Sequence, residues 1–579
     1  MVKRAVLFIF FLSCLLFASR GLANNITVTN VTLQNLDSAA GTVEVKFDLN
    51  WENYFSGTDG NSQAYFDRAW VFVKFYRADT DTWNHARLTT GGNIGAYSSS
   101  TKLGITSDGV GAFCKPGAGQ TVIWNYAVAP VTLTIANPCV ITYAKHGLAA
   151  NAPVIFSTNG SLPTGITAGT TYYVKSPATD TFNISTTPAG ASVSTSGQTQ
   201  SGQHYINSTG IMSSDSGNLK VKVMAIEMVY IPQGSFVLGS GGTETDAFYE
   251  YPTTTNPYTV SSENAINVGA TNGYLYCPSV SNTYPGDRTG PIPAAFPKGY
   301  NGFFLMKYQI AQGQYRDFLN TLTRTQQASR CSINAGRFAM NNSATLTARN
   351  GIRNPDSIPA GSVTFGCDLN SNGIFNEADD GEYISCFMSE ADGRAYADWA
   401  GLRPYTELEY EKAARGGGVT PVANEYVWGS TNYTQVTSVV NSGKINETVL
   451  PSGANSNYGN NAGGALRAGF SATSASTREQ AGAGYYGVMD LASGGLYEKV
   501  ITSGTSQGRA FTGLNGNGFL NSSGNSDVTN WPGSNGIGFR GGDYDNSDNL
   551  RERLSDRYYG AYNNDGRSSN YGFRCARTE

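Results

Sequence analysis

Between Met228 and the C terminus three stretches read as helices with a start signal, and the chain that separates them is rich in glycine, aromatic and turn residues. "QGQYRDFLNTL" predicts a helix from Gln312 to about Leu322, and "SEADGRAYADWA" predicts one from Ser389 to Ala400. "TELEYEKAARGG" predicts a third, opened by the Thr406/Glu409 capping box and stopped by Gly416. So few helices in so long a stretch define an α+β domain whose surface is mostly loops. Before Met228 the pattern is different. "ITVTNVTLQNL", "GTVEVKFDLNW" and "RAWVFVKFYRA" alternate as half-buried strands do, and "NLKVKVMAIEMVYI" resumes the pattern after an interruption. Residues 24–227 are therefore expected to form a β-sandwich, interrupted at about 128–207 by a small inserted β domain, with the α+β domain at 228–579.

The sandwich reads as immunoglobulin-like, and the insert, centred on "HGLAANAPVIFSTNGSLPTGITAGTTYYVKSPATDTFNIS", resembles modules of phage-tail and bacterial surface proteins. Residues 1–23 have Lys3 and Arg4, an apolar run from Ala5 to Phe17 and the exit Gly21-Leu22-Ala23, the pattern of a secretory signal peptide. The apolar run falls short of the roughly 20 residues a spanning helix needs. A secreted, extracellular or cell-surface protein with no membrane span is expected. Charged residues make up 14% and the net charge is -4, so there is no electrostatic footprint for nucleic acid. Seven cysteines remain after Ala23, an odd number and too few for a disulfide-built scaffold, although some bridges are expected in an oxidising compartment.

One loop has the spacing of a cation site. In "CDLNSNGIFNEADDGEYISC", Asp368, Asn370, Asn372, Asn376 and Asp379 stand at the alternating positions of an EF-hand-type loop around Gly373, and Ile374 would add its backbone carbonyl. Short oxygen-bearing side chains in that rhythm wrap a chain around a hard cation, so structural calcium is expected there. A set of Asx turns without an ion is the alternative. Cys367 and Cys386 bracket the loop and could bridge its ends.

The last stretch, "GGDYDNSDNLRERLSDRYYGAYNNDGRSSNYGFRCAR", has little to bury and repeats four residue types, Asn, Asp, Tyr and Ser. Ordinary solvated turns are one reading. A binding face is the other: Tyr presents a large amphipathic ring at low entropic cost, and Ser, Asn and Asp supply adaptable hydrogen bonds, as in antibody paratopes. The face would comprise Asp543, Tyr544, Asp545, Asn546, Ser547, Asp548 and Asn549, then Tyr558, Tyr559, Tyr562, Asn563, Asn564 and Asp565, and finally Ser568, Ser569, Asn570 and Tyr571. Between these, Arg540, Gly541, Gly542, Leu550, Arg551, Leu554, Arg557, Ala561, Arg567 and Phe573 suit a framework, with Leu550 and Leu554 anchored in the core.

In order, "MVYIPQGSFVLGS", "FFLMKYQIAQGQYRDFL", "LRPYTELEYEKAARGG", "YYGVMDLASGGLYEKV", "GFRGG" and "GFRCAR" resemble the landmarks of the formylglycine-generating-enzyme (sulfatase-modifying factor) family. The resemblance implies a variant of the C-type lectin fold. Within the family, the tail is similar to the variable proteins of diversity-generating retroelements, in which a reverse transcriptase rewrites adenines so that Asn codons drift to Tyr, Asp and Ser. This implies a variable region at about 540–575 and a diversified ligand as partner. The family's oxidases hold copper with two cysteines between the "RGG" and "GFRC" landmarks, whereas residues 543–572 here contain none, and His85, His146 and His204 all precede Met228. The stretch "DLASGGLYEKV" also departs from the family's "GNVWEW". A non-catalytic protein without copper is expected. A formylglycine-generating or related copper oxidase, and a structural component of a surface layer or appendage, are the rival readings.

Overall fold

The computed structural model describes residues 26–578, apart from 38–39, 78–80, 90–101, 127, 144–145, 147, 159, 198–199, 203, 208–219, 474 and 493–494. The expected signal peptide lies outside the described residues.

One sheet organises the molecule. Its strands run in the order Ala576–Arg577, Phe303–Met306, Lys220–Ile231, Ala64–Arg77, Ala112–Cys114 and Leu103–Ile105, with Ser56–Thr58 and Thr82–His85 also paired to Ala64–Arg77. Because successive side chains of a strand point to opposite faces, Ala69, Val71 and Val73 share a core with Val45, Phe47 and Trp124 of a second, three-stranded sheet (Thr27–Asp37, Thr42–Asn50, Gly117–Asn125). Trp70 and Phe72 turn the other way, into a core with Phe318 and Trp399. "RAWVFVKFYRA" is thus buried on both faces, not half-buried as its alternation suggested. Even Lys74 is enclosed, its ammonium donating to the carbonyls of Trp399 and Gly518, each at 2.7 Å.

The sheet is not private to the N-terminal half. Lys220–Ile231 pairs along its length with Ala64–Arg77 and, by its last four residues, with Phe303–Met306. The expected boundary at Met228 therefore falls inside a strand that both halves share.

Residues 128–207 form a closed six-stranded barrel around Val131, Ile141, Phe156, Val174, Phe182 and Ile206. Its first and last strands are neighbours, Val128 opposite Asn207.

Helices α1 (Gln312–Leu319), α2 (Arg324–Arg330), α3 (Glu390–Trp399) and α4 (Glu407–Arg415) cover the C-terminal half. The capping boxes at Ser389 and Thr406 form, and Gly416 ends α4 at φ +99°. The first helix stops three residues short of the expected Leu322. The chain then re-enters a helix at α2, whose Thr323/Gln326 capping box is the signal that should have revealed it. Among the described residues no helix is long and apolar enough to cross a membrane.

Candidate functional site

The tail is pinned at both ends to one strand. Ile537–Arg540 lies antiparallel to Tyr497–Ile501, and Tyr571–Gly572 returns parallel to its start, so residues 541–570 form a long excursion whose two ends meet. At its exit Gly541 has φ +85° and passes so close to the Leu491 carbonyl that a Cβ there would sit 2.2 Å from the oxygen. Only glycine fits that approach.

Beneath the excursion α4 presents carboxylates to buried arginines. Glu407 pairs with Arg557 at 2.8 Å and Arg540 at 3.2 Å, while Glu411 pairs with Arg540 at 2.7 Å and Arg415 at 3.1 Å. Arg540 also donates to the Leu554 carbonyl at 3.0 Å, and Arg415 to Ser555 Oγ at 2.8 Å. Burial alone would push the Glu407 carboxyl up, but the Arg557 guanidinium, followed by Arg540 and Ser503, holds it at about 2. Arg567 fastens the far side by a two-oxygen contact with Asp392 of α3, at 2.8 and 3.0 Å. Such fork-to-carboxylate contacts fix direction as well as charge.

On this layer lies a floor of rings. Tyr558 and Tyr559 are 4.6 Å apart by ring centroids, Tyr559 and Tyr562 5.2 Å, and Phe539 lies 4.6 Å from Tyr571 and 5.8 Å from Tyr562. Arg551 stacks over Tyr558 at 3.7 Å. Three contributors escaped the sequence reading. Tyr284, from a distant loop with no recognisable signal, lies 4.6 Å from Tyr562. Tyr497 lies 5.7 Å from Tyr559, and Lys499 approaches the Tyr571 ring to 5.0 Å. Both belong to "GLYEKV", so the departure from the family wording was itself the signal. Burial, only partly opposed by Glu390 and Asp392, lowers the Lys499 ammonium to about 8.

Hydrogen-bonding side chains edge the floor. Asn546 Oδ1 accepts from the Tyr497 hydroxyl at 3.0 Å, Asn564 donates to the Tyr571 hydroxyl at 3.2 Å, and Asn570 donates to Asp543. Ser568 and Ser569 both donate to Asn570 Oδ1. Asp545, Ser547, Asp548, Asn563 and Asp565 are exposed around them. Three predicted face residues are not on the face: Tyr544 is 5% exposed within the core, and Asp543 and Asn549 are also buried. The framework needs one correction too. Leu554 is fully buried, but Leu550 is 40% exposed, because the turn in which Asp548 Oδ1 accepts from the Leu550 amide lifts it outward. Asp543 and Glu552 are buried below the rim. Burial pushes Asp543 up to about 6 and Glu552 to about 8, with Asp543 and Asp548 adding to the latter.

The 368–380 loop stands apart from this face. Asp368 is fully buried and its Oδ2 accepts from Arg353 and from the Gly373 amide. Asn370 Oδ1 accepts from the Asn372 amide at 3.0 Å and Asn372 Oδ1 from the Ile374 amide at 2.7 Å, successive Asx turns. The Ile374 side chain is exposed. Asn376 faces α1 instead: its Oδ1 accepts from Arg316 at 2.7 Å and from the Cys367 amide at 3.0 Å. Asp379 accepts from Asn370 at 3.1 Å, beside Glu377 and Asp380, which the sequence reading left out. Cys367 and Cys386 do not bridge the loop's ends; both are free buried thiols, as are the other five described cysteines. Cys367 packs into the core from a strand paired with Ile352–Arg353, Asn350 donates to the Cys386 sulfur, and burial raises both thiols.

A copper site of the oxidase kind requires soft thiolate donors at the tail. The tail offers only Cys575, fully buried behind the face with its thiol raised by burial, so the donors present do not fit that ion. A separate cleft of about 1370 Å³, lined by Phe55, Tyr65, Tyr308, Arg467 and Tyr485 among others, contains none of the predicted site residues.

A β-rich domain with few helices, carrying a long C-terminal excursion on buried arginines, is a scaffold that presents a loop surface. Residues 215–579, more than half of the chain, match the sulfatase-modifying factor enzyme 1-like domain, and the chain belongs to that FGE-sulfatase family. No curated protein matches the chain significantly.

Proposed function

We propose that this is a secreted or surface-displayed ligand-binding protein, and that its C-terminal domain, of C-type lectin-like fold, presents a diversified site of the retroelement variable-protein type on an immunoglobulin-like stalk. The observation that carries this reading is the division within one segment. Tyr558, Tyr559, Tyr562 and Tyr571 form a half-exposed floor edged by Asn546, Asn564 and Asn570, while Arg540, Leu554, Arg557 and Phe573, interleaved with them in sequence, are buried. Residues of the drifting types can change there while the support is kept. The ligand is a variable protein or other surface molecule, met by stacking on rings and by adaptable hydrogen bonds. Catalysis is not part of the proposal, because the tail lacks the thiolate pair that copper needs.

Sequencing the flanking DNA tests the diversification. A neighbouring reverse transcriptase gene and a near-copy of the tail with adenines at the codons of Asp543 to Tyr571 are expected, and their absence overturns it. Conversion of a sulfatase-type cysteine peptide to formylglycine by copper-loaded protein would overturn the non-catalytic reading.

A further inference from the structure

The binding face makes no use of the loop that ends at Asp380. Carboxylate oxygens of Glu377, Asp379 and Asp380 lie within 4.8 Å of one another, and Asp368 is close enough for its charge to act on Asp380. Arg353 pairs with Asp368; among the described residues no lysine or arginine forms an ion pair with the other three. The cluster therefore has more negative charge than its neighbours compensate.

Hydrogen bonding leaves a second, independent deficit. Asp380 is fully buried; its Oδ2 accepts from the Glu377 amide at 2.6 Å, and its Oδ1 receives no hydrogen bond. Asp368 is also fully buried, and its Oδ1 has no donor either. A buried carboxylate oxygen without a donor bears its full desolvation cost. One ligand meets both deficits, a hard divalent cation, which takes carboxylate oxygens and needs no donor hydrogen.

We propose that Glu377, Asp379 and Asp380 hold one divalent cation of the calcium class. The assignment moves the site from the alternating positions of the loop toward its C-terminal end. Asn376 is excluded, since its oxygen is committed to Arg316 and the Cys367 amide. Asn370 and Asn372 are positioning residues, their amides donating to Asp379 and Glu377 respectively. Calcium is favoured over magnesium because several carboxylates on an irregular loop suit its larger, flexible shell, whereas magnesium demands octahedral geometry and keeps its waters. Bound there, the ion fastens the loop between Arg353 and Gly443, whose carbonyl accepts from the Gly381 amide at 3.1 Å.

Calorimetric titration of chelator-stripped, full-length protein with calcium chloride, and with magnesium chloride as control, tests the assignment. One site with a preference for calcium is expected, with a melting temperature that rises with calcium. Glu377→Gln with Asp379→Asn, at side chains that are not fully buried, should weaken calcium binding on the order of tenfold or more, since ligand charge sets affinity. Asn376→Asp, which keeps both acceptor contacts, should leave it unchanged. No heat and no melting shift in the wild type at millimolar calcium would overturn the proposal, as would a double variant that binds like the wild type. An Asn376→Asp variant altered as much as the double variant would overturn the ligand set.

Discussion

The layer beneath the C-terminal excursion and the outward side of that excursion use opposite chemistry. The underside is made of full charges in the dark: Arg540 and Arg557 against Glu407 and Glu411, all buried and joined by charge-assisted hydrogen bonds. The outward side is made of rings and amides that touch loosely, with ring spacings near 5 Å and each tyrosine partly open. A buried ion pair is intolerant of losing one member, since the survivor is left charged and unpaired. A half-exposed ring can be exchanged with little consequence for its neighbours. The two layers therefore differ in how much change they can absorb.

Breaking the underside should have the largest effect. Glu407→Ala strands the Arg557 guanidinium and leaves Arg540 with Glu411 alone, and should destabilise the protein by about 3–5 kcal/mol, read by urea unfolding. A loss below about 1 kcal/mol would mean that another contact holds the tail. Next come buried apolar groups: Leu554→Ala and Tyr544→Ala should each cost about 2–5 kcal/mol. Tyr544 sharpens the comparison, being of a drifting residue type but placed with the underside.

Between the layers lie Asp543 and Glu552, whose carboxyls are raised to about 6 and about 8 from ordinary values of 3.8 and 4.5. The fold prefers their neutral forms. Their contribution is complete below the ordinary carboxyl range and is lost as pH rises through about 6 and then about 8. Stability should thus decline from pH 5 to 9, and Glu552→Gln should flatten the upper part of that decline by about 1 kcal/mol or more. A melting temperature independent of pH in the wild type would contradict this. The smallest effects belong to the face. Tyr558→Ser or Tyr562→Asn should cost about 0.5–1.5 kcal/mol, the worth of an aromatic contact, and Leu550→Ala about 0.5 kcal/mol or less, while ligand selectivity on a panel of surface extracts shifts with the tyrosines only.

Local signals in the sequence located α3 and α4 because their starts are written in three or four adjacent residues, as at Thr406 and Glu409. The same rule would have found α2, had Thr323 and Gln326 been weighed. Sheet membership was less legible. "RAWVFVKFYRA" reports that it is a strand, but what covers its second face comes from α3, more than three hundred residues later. The site divides in the same way. Residue types announced a face, but whether a given side chain turns inward depends on a turn two residues away, as at Leu550, or on partners from distant loops, as with Tyr284. For the 368–380 loop, spacing could not foresee that Arg316 would claim Asn376.

The strand Lys220–Ile231 has a mechanical consequence. It is laced to Ala64–Arg77 from Lys220 opposite Tyr76 to Tyr230 opposite Phe66, and its end is laced again to Phe303–Met306. A pull between the N-terminal sheet and the tail meets no hinge at this crossing; it must shear a ladder of backbone hydrogen bonds loaded side by side. The two halves therefore resist tension as one stiff strut, and the orientation of the tyrosine floor is set by wherever the first sheet is held.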